Sequence, residues 1–511
     1  MSDWTSGYIA DIGYTYGYYL ELNPLRVKLA FLNAGLHYPQ VGTACELGFG
    51  QGMSTNIHAA ASVISWSATD FNPSQASFAQ ELAATSGANT QLFDKTFAEF
   101  ANHTDLPDFD YIGIHGIWSW INDENRAIIV DFIKRKLKVN GVLYISYNTQ
   151  PSWAAMVPMR DLLTEYSQVM GRNGTGIATR INEALAFTDK LIATNPTYIR
   201  ANPQITSRIA KIKEHDRNYL AHEYFNKDWL PMPFSKMAAW LEPTKLQYAC
   251  SANLLDHVDV INLTHEQQVL LNEIPDDMLR QSVRDFMVNQ QFRKDYWVKG
   301  ARKLSVLQQI EALLVQKLIL VVPRSEVILK ATGNTGDSAL VETVYSPILD
   351  ALSDHSIKTI GQLEQIVKHQ GVVFAQLLQA ILILTGNGTI APVQDESIIS
   401  TAKNYTDKLN AHIMTLARSS SQISNLASPV IGGGVIVNRF QQLFLQSYLS
   451  GDKEPAEWAD YAWTNLQMQS QKVVKDGKTL ETEKDNLTEL TEQAQSFHDK
   501  QLPIMKALQI V

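Results

Sequence analysis

Cysteine is scarce in this chain of 511 residues: Cys45 and Cys250 are the only two. Two thiols build no disulfide framework and no cysteine-based zinc cage. Such low usage fits a reducing compartment, and a cytoplasmic location is expected. Long apolar runs are lacking too. The longest, VVFAQLLQAILIL at 372–384, is shorter than a bilayer span and is broken by glutamine. The first residues, MSDWTSGYIADIGYTYGYY, have no basic region followed by an apolar one. Neither a signal peptide nor membrane insertion is expected. Positive charge is not in excess. A net charge of -9 argues against a nucleic-acid or anionic-membrane binder. HEYFN at 222–226 lacks the second histidine of a zinc-protease motif, so no metal is expected.

What is present is ordinary globular composition, 45% apolar and 19% charged, with length for roughly two to four domains. Residues 41–150 alternate β-like and helical runs. Strands are predicted at 41–47, 64–71, 90–97, 109–117 and 141–148, the last after an Asn140-Gly141 turn. Helices are predicted at 52–63, 73–86 and 125–138, with Pro73 suited to a first turn. This rhythm predicts an α/β fold with a parallel, doubly wound, Rossmann-like sheet. Ligands of such sheets sit beyond the carboxyl ends of the strands. Residues 151–221 read as mostly helical, and 245–255 and 317–329 as late strands of the same sheet. A long helical stretch, 265–298, is expected between them. KATGNTGDSA at 330–339 reads as a linker. Beyond it, helical runs near 340–353, 359–369 and 372–385 precede TGNGTIAPV, a short hairpin by its turn residues. Three helices and a wing suggest a winged-helix-like region. Its would-be recognition helix carries neither Lys nor Arg, so it is expected to contact protein and not DNA. Residues 417–434 read as a polar loop, and the tail from 476 as helical.

The stretch ELGFGQG places Gly48, Gly50 and Gly52 at alternate positions after an apolar strand. A dinucleotide fingerprint needs a glycine where Met53 stands, and a phosphate loop needs a following Lys. A nicotinamide dehydrogenase is therefore the weaker enzyme reading. The tight glycine turn still lets a ligand approach the backbone. Asp70 closes the second strand, twenty residues after Gly50, where a carboxylate accepts hydrogen bonds from a ribose diol. Glu46 adds negative charge beside the loop. A ligand with a ribose, no phosphate and a positive centre suits these features, and S-adenosylmethionine is one.

ELGFGQG followed by TDFNPSQ resembles the first two motifs of class I S-adenosylmethionine-dependent methyltransferases. FDYIGIHGIWSWI, GVLYISYNTQPSW and HEYFNKDWLPMPF resemble bacterial members with a methyltransferase regulatory domain. The nearest described group is the outer-membrane-protein lysine methyltransferases. The resemblance implies cofactor contacts at Glu46, Gly48, Gly50, Asp70, the adjoining Phe71 and the loop after the third strand. In that loop Asp94, Thr96 and Phe97 are candidates, since adenine requires an apolar ring and a polar acceptor. The resemblance implies three parts: a cofactor-binding core with an N-terminal cover at 1–155, a helical and regulatory-type region at 156–335 lending late strands to the sheet, and the winged-helix-like region at 336–511.

Methyl transfer needs a nucleophile held in line and relieved of its proton. The fourth strand ends with His115, Trp118 and Trp120, and the fifth with Tyr147, Asn148 and Trp153. Tyr14, Tyr16, Tyr18 and Tyr19 are available as a cover. Aromatic faces attract sulfonium and ammonium ions and desolvate an amine. His115, Trp118, Tyr147 and Tyr16 are the catalytic candidates, and His115 is also counted as a cofactor contact. One of Trp118 and Trp120, two apart, is expected to face the core and the other the cleft. The resemblance points to a protein lysine as acceptor. A saccharide or small metabolite is the alternative, and a cofactor-responsive interaction scaffold the non-enzyme one. Protein is the expected partner, and a homodimer is left open.

Overall fold

A computed structural model describes Tyr8 and residues 13–171 and 174–511. Its centre is a seven-stranded sheet in the order β3-β2-β1-β4-β5-β7-β6. The strands are β1 (Thr43–Leu47), β2 (Ser65–Asp70), β3 (Thr90–Asp94), β4 (Phe109–Ile114), β5 (Leu137–Asn148), β6 (Leu246–Ser251) and β7 (Phe292–Lys299). The first five pair in parallel, and β7 runs antiparallel to both β5 and β6. The predicted α/β class, parallel core and first five strands are all present.

Short apolar strands between helices bury both faces, as parallel sheets require. One face holds Trp66, Tyr111, Tyr144 and Tyr296 against α1 (Pro24–Asn33). The other holds Ile112, Leu143, Tyr147 and Trp297 against the helix Phe234–Leu241 and two more, α4 (Phe97–Ala101) and α5 (Asp123–Lys136). Between them in the chain lie α2 (Met53–Ala60) and α3 (Pro73–Ser86). Asn72 caps α3 and Pro73 opens it, the expected chemistry for a helix start. Every residue of α2 is buried. That is the pattern of a helix covered on all sides.

The helical middle is α6 (Val157–Val169), α7 (Ile177–Ala193), α8 (Thr197–Ala201), α9 (Gln204–Glu214) and α10 (Arg217–Tyr224). It packs around its own core of Trp153, Met156, Ile181 and Ile209.

Four expectations are corrected. The stretch 265–298 is not helical throughout: helices end at Met287 and β7 follows. Arg293 and Asp295 disguise β7, because charges inside a strand look like a solvated helix face. They are buried and paired with each other, and Arg293 also with Asp285. Within 317–329 the strand β8 (Lys317–Leu320) forms, outside the main sheet. It lies between β11 (Lys358–Thr359) and β12 (Ile390–Pro392), so the TGNGTIAPV turn leads into a strand that pairs with β8. The presumed linker is the hairpin β9 (Lys330–Gly333) and β10 (Gly336–Ala339), and the expected boundary at 335/336 falls in its turn. The presumed loop at 417–434 holds β13 (Asn425–Ser428) and runs into β14 (Gly433–Ile436). Helices Glu342–Ala351, Ile360–Lys368 and Phe374–Gly386 lie where three were predicted.

Candidate active site

The carboxyl ends of β1 and β4 diverge where the strand order reverses, and a cavity opens there. Its floor is the glycine loop. Gly48, Gly50 and Gly52 all have positive φ, near +77°, +57° and +70°. A side chain at Gly48 would also meet Ile117 at 2.5 Å, and one at Gly52 would meet Ala79 at 2.5 Å. Glycine is therefore required twice over at both positions.

Asp70 lines the cavity. Its Oδ2 accepts the Gly50 N–H at 2.9 Å and its Oδ1 the Asn72 N–H at 3.0 Å. The Phe71 N–H reaches the same carboxylate, and the acceptor capacity left over faces the cavity, which suits a ribose hydroxyl. Burial pushes this carboxyl up to about 6. Glu46 is buried deeper, accepts the Thr55 hydroxyl, and is pushed up to about 7 by the same cause. Phe71 and Phe97 line the apolar wall with Ile117 and Ile121. The donor set fits a ribose, an adenine and a cationic centre.

Among the predicted cofactor residues, Glu46, Gly48, Gly50, Asp70, Phe71, Thr96, Phe97 and His115 all reach the cavity. Thr96 is already spent as the cap of α4, exchanging hydrogen bonds with Glu99. Asp94 is exposed and does not line the cavity. It ends an edge strand, and its neighbours Lys95, Thr96 and Phe97 take the place assigned to it.

Of the catalytic candidates, His115 alone lies in the cavity. Its ring stacks on Tyr19 at 3.7 Å, and its Nδ1 lies 2.8 Å from the Tyr144 hydroxyl. Burial lowers its pKa to about 4, so the imidazole is neutral at physiological pH. Trp118 is fully buried, with its Nε1 donating to Met232 Sδ at 3.3 Å. Trp120 is the one that faces the cavity, and its Nε1 donates to the Glu223 carbonyl at 3.3 Å. Tyr147 is buried behind the sheet and donates to Asp295 at 3.0 Å. The end of β5 is covered by the segment at 229–234: Met232 N–H donates to Asn148 O, and Thr149 Oγ1 to Met232 O. Trp153 joins the middle helices. Tyr16 packs edge-on against Phe78, 5.1 Å away, outside the cavity. The segment 13–19 is not a regular strand, so the spacing of its tyrosines carried no facing information.

Several lining residues carry no signal in the sequence. Tyr8, Gln75, Lys95 and Asp228 come from separate segments. Asn122 is signalled only as the cap of α5. Tyr14 and Tyr19 line the cavity beside the glycine loop, where a Cβ at Gly50 would lie 3.4 Å from the Tyr14 ring. His222 packs its ring on Tyr8 at 5.5 Å and Tyr14 at 4.9 Å. Glu223 follows it, and burial pushes its carboxyl up to about 7.

Residues 216–299 match the family model described as a predicted methyltransferase regulatory domain. An uncharacterised protein of Synechocystis sp., sll1526, is 40% identical over 99% of this chain and 99% of its own. An uncharacterised protein of Rickettsia prowazekii, RP789, is 28% identical over 37% of this chain and 34% of its own. PKMT2 from Rickettsia typhi, solved in complex with AdoHcy, shares the fold with a TM-score of 0.68. That likeness spans 96% of this chain and 99% of the neighbour at 14% identity. Full-length likeness to sll1526, the regulatory-domain match and the strand order agree, and the chain belongs to the family of sll1526, the class I S-adenosylmethionine-dependent methyltransferases with a methyltransferase regulatory domain.

Proposed function

We propose that this methyltransferase transfers its methyl group to the side-chain amine of a lysine in a protein substrate. One observation carries the reading: the charge and shape of the aromatic wall of the cavity. Tyr8, Tyr14, Tyr19 and Trp120 meet there with Asp228, and Glu223 sits behind them. Among the described lining residues the one permanent cation, Lys95, follows β3 and lies over Phe93, 5.1 Å away. A wall of rings and carboxylates suits an ammonium on arrival, each ring contributing ~0.5–2 kcal/mol. Desolvation by the same rings favours the neutral amine, the form that attacks. A free lysine has a pKa of ~10.4, so this shift must be large at neutral pH.

S-adenosylmethionine, when bound, supplies an electrophilic methyl on a sulfonium. Asp70 would hold its ribose, Glu46 its positive end, and Phe71 with Phe97 its base. Neutral His115, held between Tyr19 and Tyr144, fixes the inner wall of the site. Burial pushes the Glu223 carboxyl up to about 7, and its backbone carbonyl accepts the Trp120 indole N–H at the edge of the aromatic wall. The designation of the Rickettsia typhi neighbour, PKMT2, agrees with this reading.

Incubating the full-length protein with isotopically labelled S-adenosylmethionine and bacterial lysate, followed by peptide mass spectrometry, tests it. Label on lysine is expected. Label confined to glycans or small metabolites would remove the lysine assignment and keep the methyltransferase.

A further inference from the structure

We infer that Tyr18 is a positioning residue for acceptor methylation, gripped by the β13–β14 hairpin so that the strap 13–23 holds Tyr14 and Tyr19 at the cavity. The inference rests on the reading that these tyrosines wall the acceptor.

The grip begins with two glycines that need no side chain for a reason other than backbone freedom. Gly432 turns the chain with a φ of +61°, but Gly433 and Gly434 are not left-handed. A Cβ at Gly433 would meet the Tyr18 hydroxyl at 2.6 Å and Asn23 Nδ2 at 2.8 Å. A Cβ at Gly434 would meet the Tyr18 ring at 2.9–3.0 Å. These residues are bare because the hairpin lies directly on Tyr18. A hairpin that only closed a loop would leave room for alanine here.

Hydrogen bonds fix the contact. The Gly434 N–H donates to Tyr18 Oη at 2.7 Å, and His58 Nε2 lies 3.0 Å from the same oxygen. Asn23 Nδ2 donates to Ile431 O at 3.4 Å. Gln394 Nε2 bridges the end of α2 to the hairpin, donating to Ala61 O at 2.7 Å and Pro429 O at 2.5 Å. Hairpin, strap and α2 are thus one joint, and α2 is the helix that the glycine loop starts. Burial lowers the His58 pKa to about 3, so the joint keeps a neutral imidazole across the working pH range.

The next residue carries the effect into the site. Tyr19 N–H donates to Ser54 Oγ of α2 at 2.8 Å, and its ring stacks on His115. Gln51 of the glycine loop donates to Tyr14 O at 3.3 Å. Tyr18 and Tyr19 are consecutive on one backbone, so a shift of the chain at Tyr18 is passed on to Tyr19. The hairpin therefore governs the acceptor wall without touching cofactor or substrate.

Full-length Gly434→Ala and Tyr18→Phe test this, with three readouts. Hydrogen exchange measures protection of amides in 13–23. Calorimetry measures S-adenosylhomocysteine affinity. Kinetics on a lysine-bearing substrate separate KM from kcat. Overpacking by one methyl is expected to speed strap exchange and raise acceptor KM roughly 10-fold in Gly434→Ala. Tyr18→Phe, which keeps the ring and folds without a clash, should do the same by roughly 5-fold. Cofactor affinity should stay within about 2-fold in both. Unchanged exchange and KM in Tyr18→Phe would overturn the inference. So would an equal loss of cofactor affinity and turnover, the mark of a merely structural role. Faster strap exchange in a protein that labels no lysine would keep the grip and overturn the acceptor reading instead.

Discussion

Asp70 and Glu46 are the two buried acids of the cofactor wall, and both sit above their usual range. Asp70→Ala removes the diol acceptor. Affinity for S-adenosylhomocysteine should fall by about 1–3 kcal/mol in calorimetry. Unchanged affinity would free Asp70 of this role. The pH dependence has a definite sign. A raised carboxyl binds protons in the folded chain that the unfolded chain has already lost. For Glu46 that window runs from the ordinary glutamate value of 4.5 to about 7, and stability declines as pH rises through it. A sulfonium nearby favours the carboxylate, so binding it expels protons. Affinity for S-adenosylmethionine should therefore rise between about pH 5.5 and 7.5, and more steeply than for S-adenosylhomocysteine, which lacks the sulfonium charge. Calorimetry in buffers of different ionisation enthalpy reads the proton release directly, and a flat profile would contradict it. Asp70 and Glu46 were legible because strand ends and glycine spacing locate them. Lys95, one residue beyond the predicted Asp94, was not, since a loop after an edge strand obeys no periodicity.

Elements divide by whether their signal is local. The turn Trp118–Trp120 shows both cases. The prediction that one indole faces in and the other out holds, and the one facing the cavity is Trp120. Trp118→Ala should lower thermal stability by about 3–5 kcal/mol, as expected of a buried indole. Trp120 is largely buried too, so Trp120→Ala should also cost stability, but it should spare cofactor affinity and lower methyl transfer by the folded protein. Melting curves beside turnover measurements separate the two, and a reversed pattern would exchange their roles. Strand β7 was illegible because Arg293 and Asp295 break its apolar alternation. Both are buried, and Arg293 also lies over the Phe234 ring at 4.4 Å. Arg293→Met would strand Asp285 and Asp295 as unpaired buried charges. A loss of about 3–5 kcal/mol is expected by denaturant unfolding. A neutral result would mean that the acids take up protons or water without cost. The hairpin at 425–436 was illegible for the opposite reason. Small residues read as a loop are small because another segment presses on them.

Across the whole molecule, the parallel sheet follows from local rhythm, and the cavity does not. Its walls bring Tyr8, Tyr14 and Tyr19 together with Trp120 and Asp228, residues whose separations have no fixed period. The sequence offered Tyr14 and Tyr19 as a cover and Trp120 at a strand end, but Tyr8 and Asp228 gave no sign of meeting them. The joint at Tyr18 links positions still farther apart, since Tyr18 and Gly434 are separated by 416 residues. During synthesis the strap emerges first and its clasp nearly last. At ~5–20 residues per second that interval is about 20–80 s. For most of it the glycine loop and the first five strands have already been made. Tyr18 has no clasp until residues 433–434 appear, although Tyr14 and Tyr19 already have partners in the glycine loop, α2 and His115. A chain that stops short of the hairpin therefore lacks both the clasp on Tyr18 and the cover over α2, and neither half of the joint is complete until that segment is made.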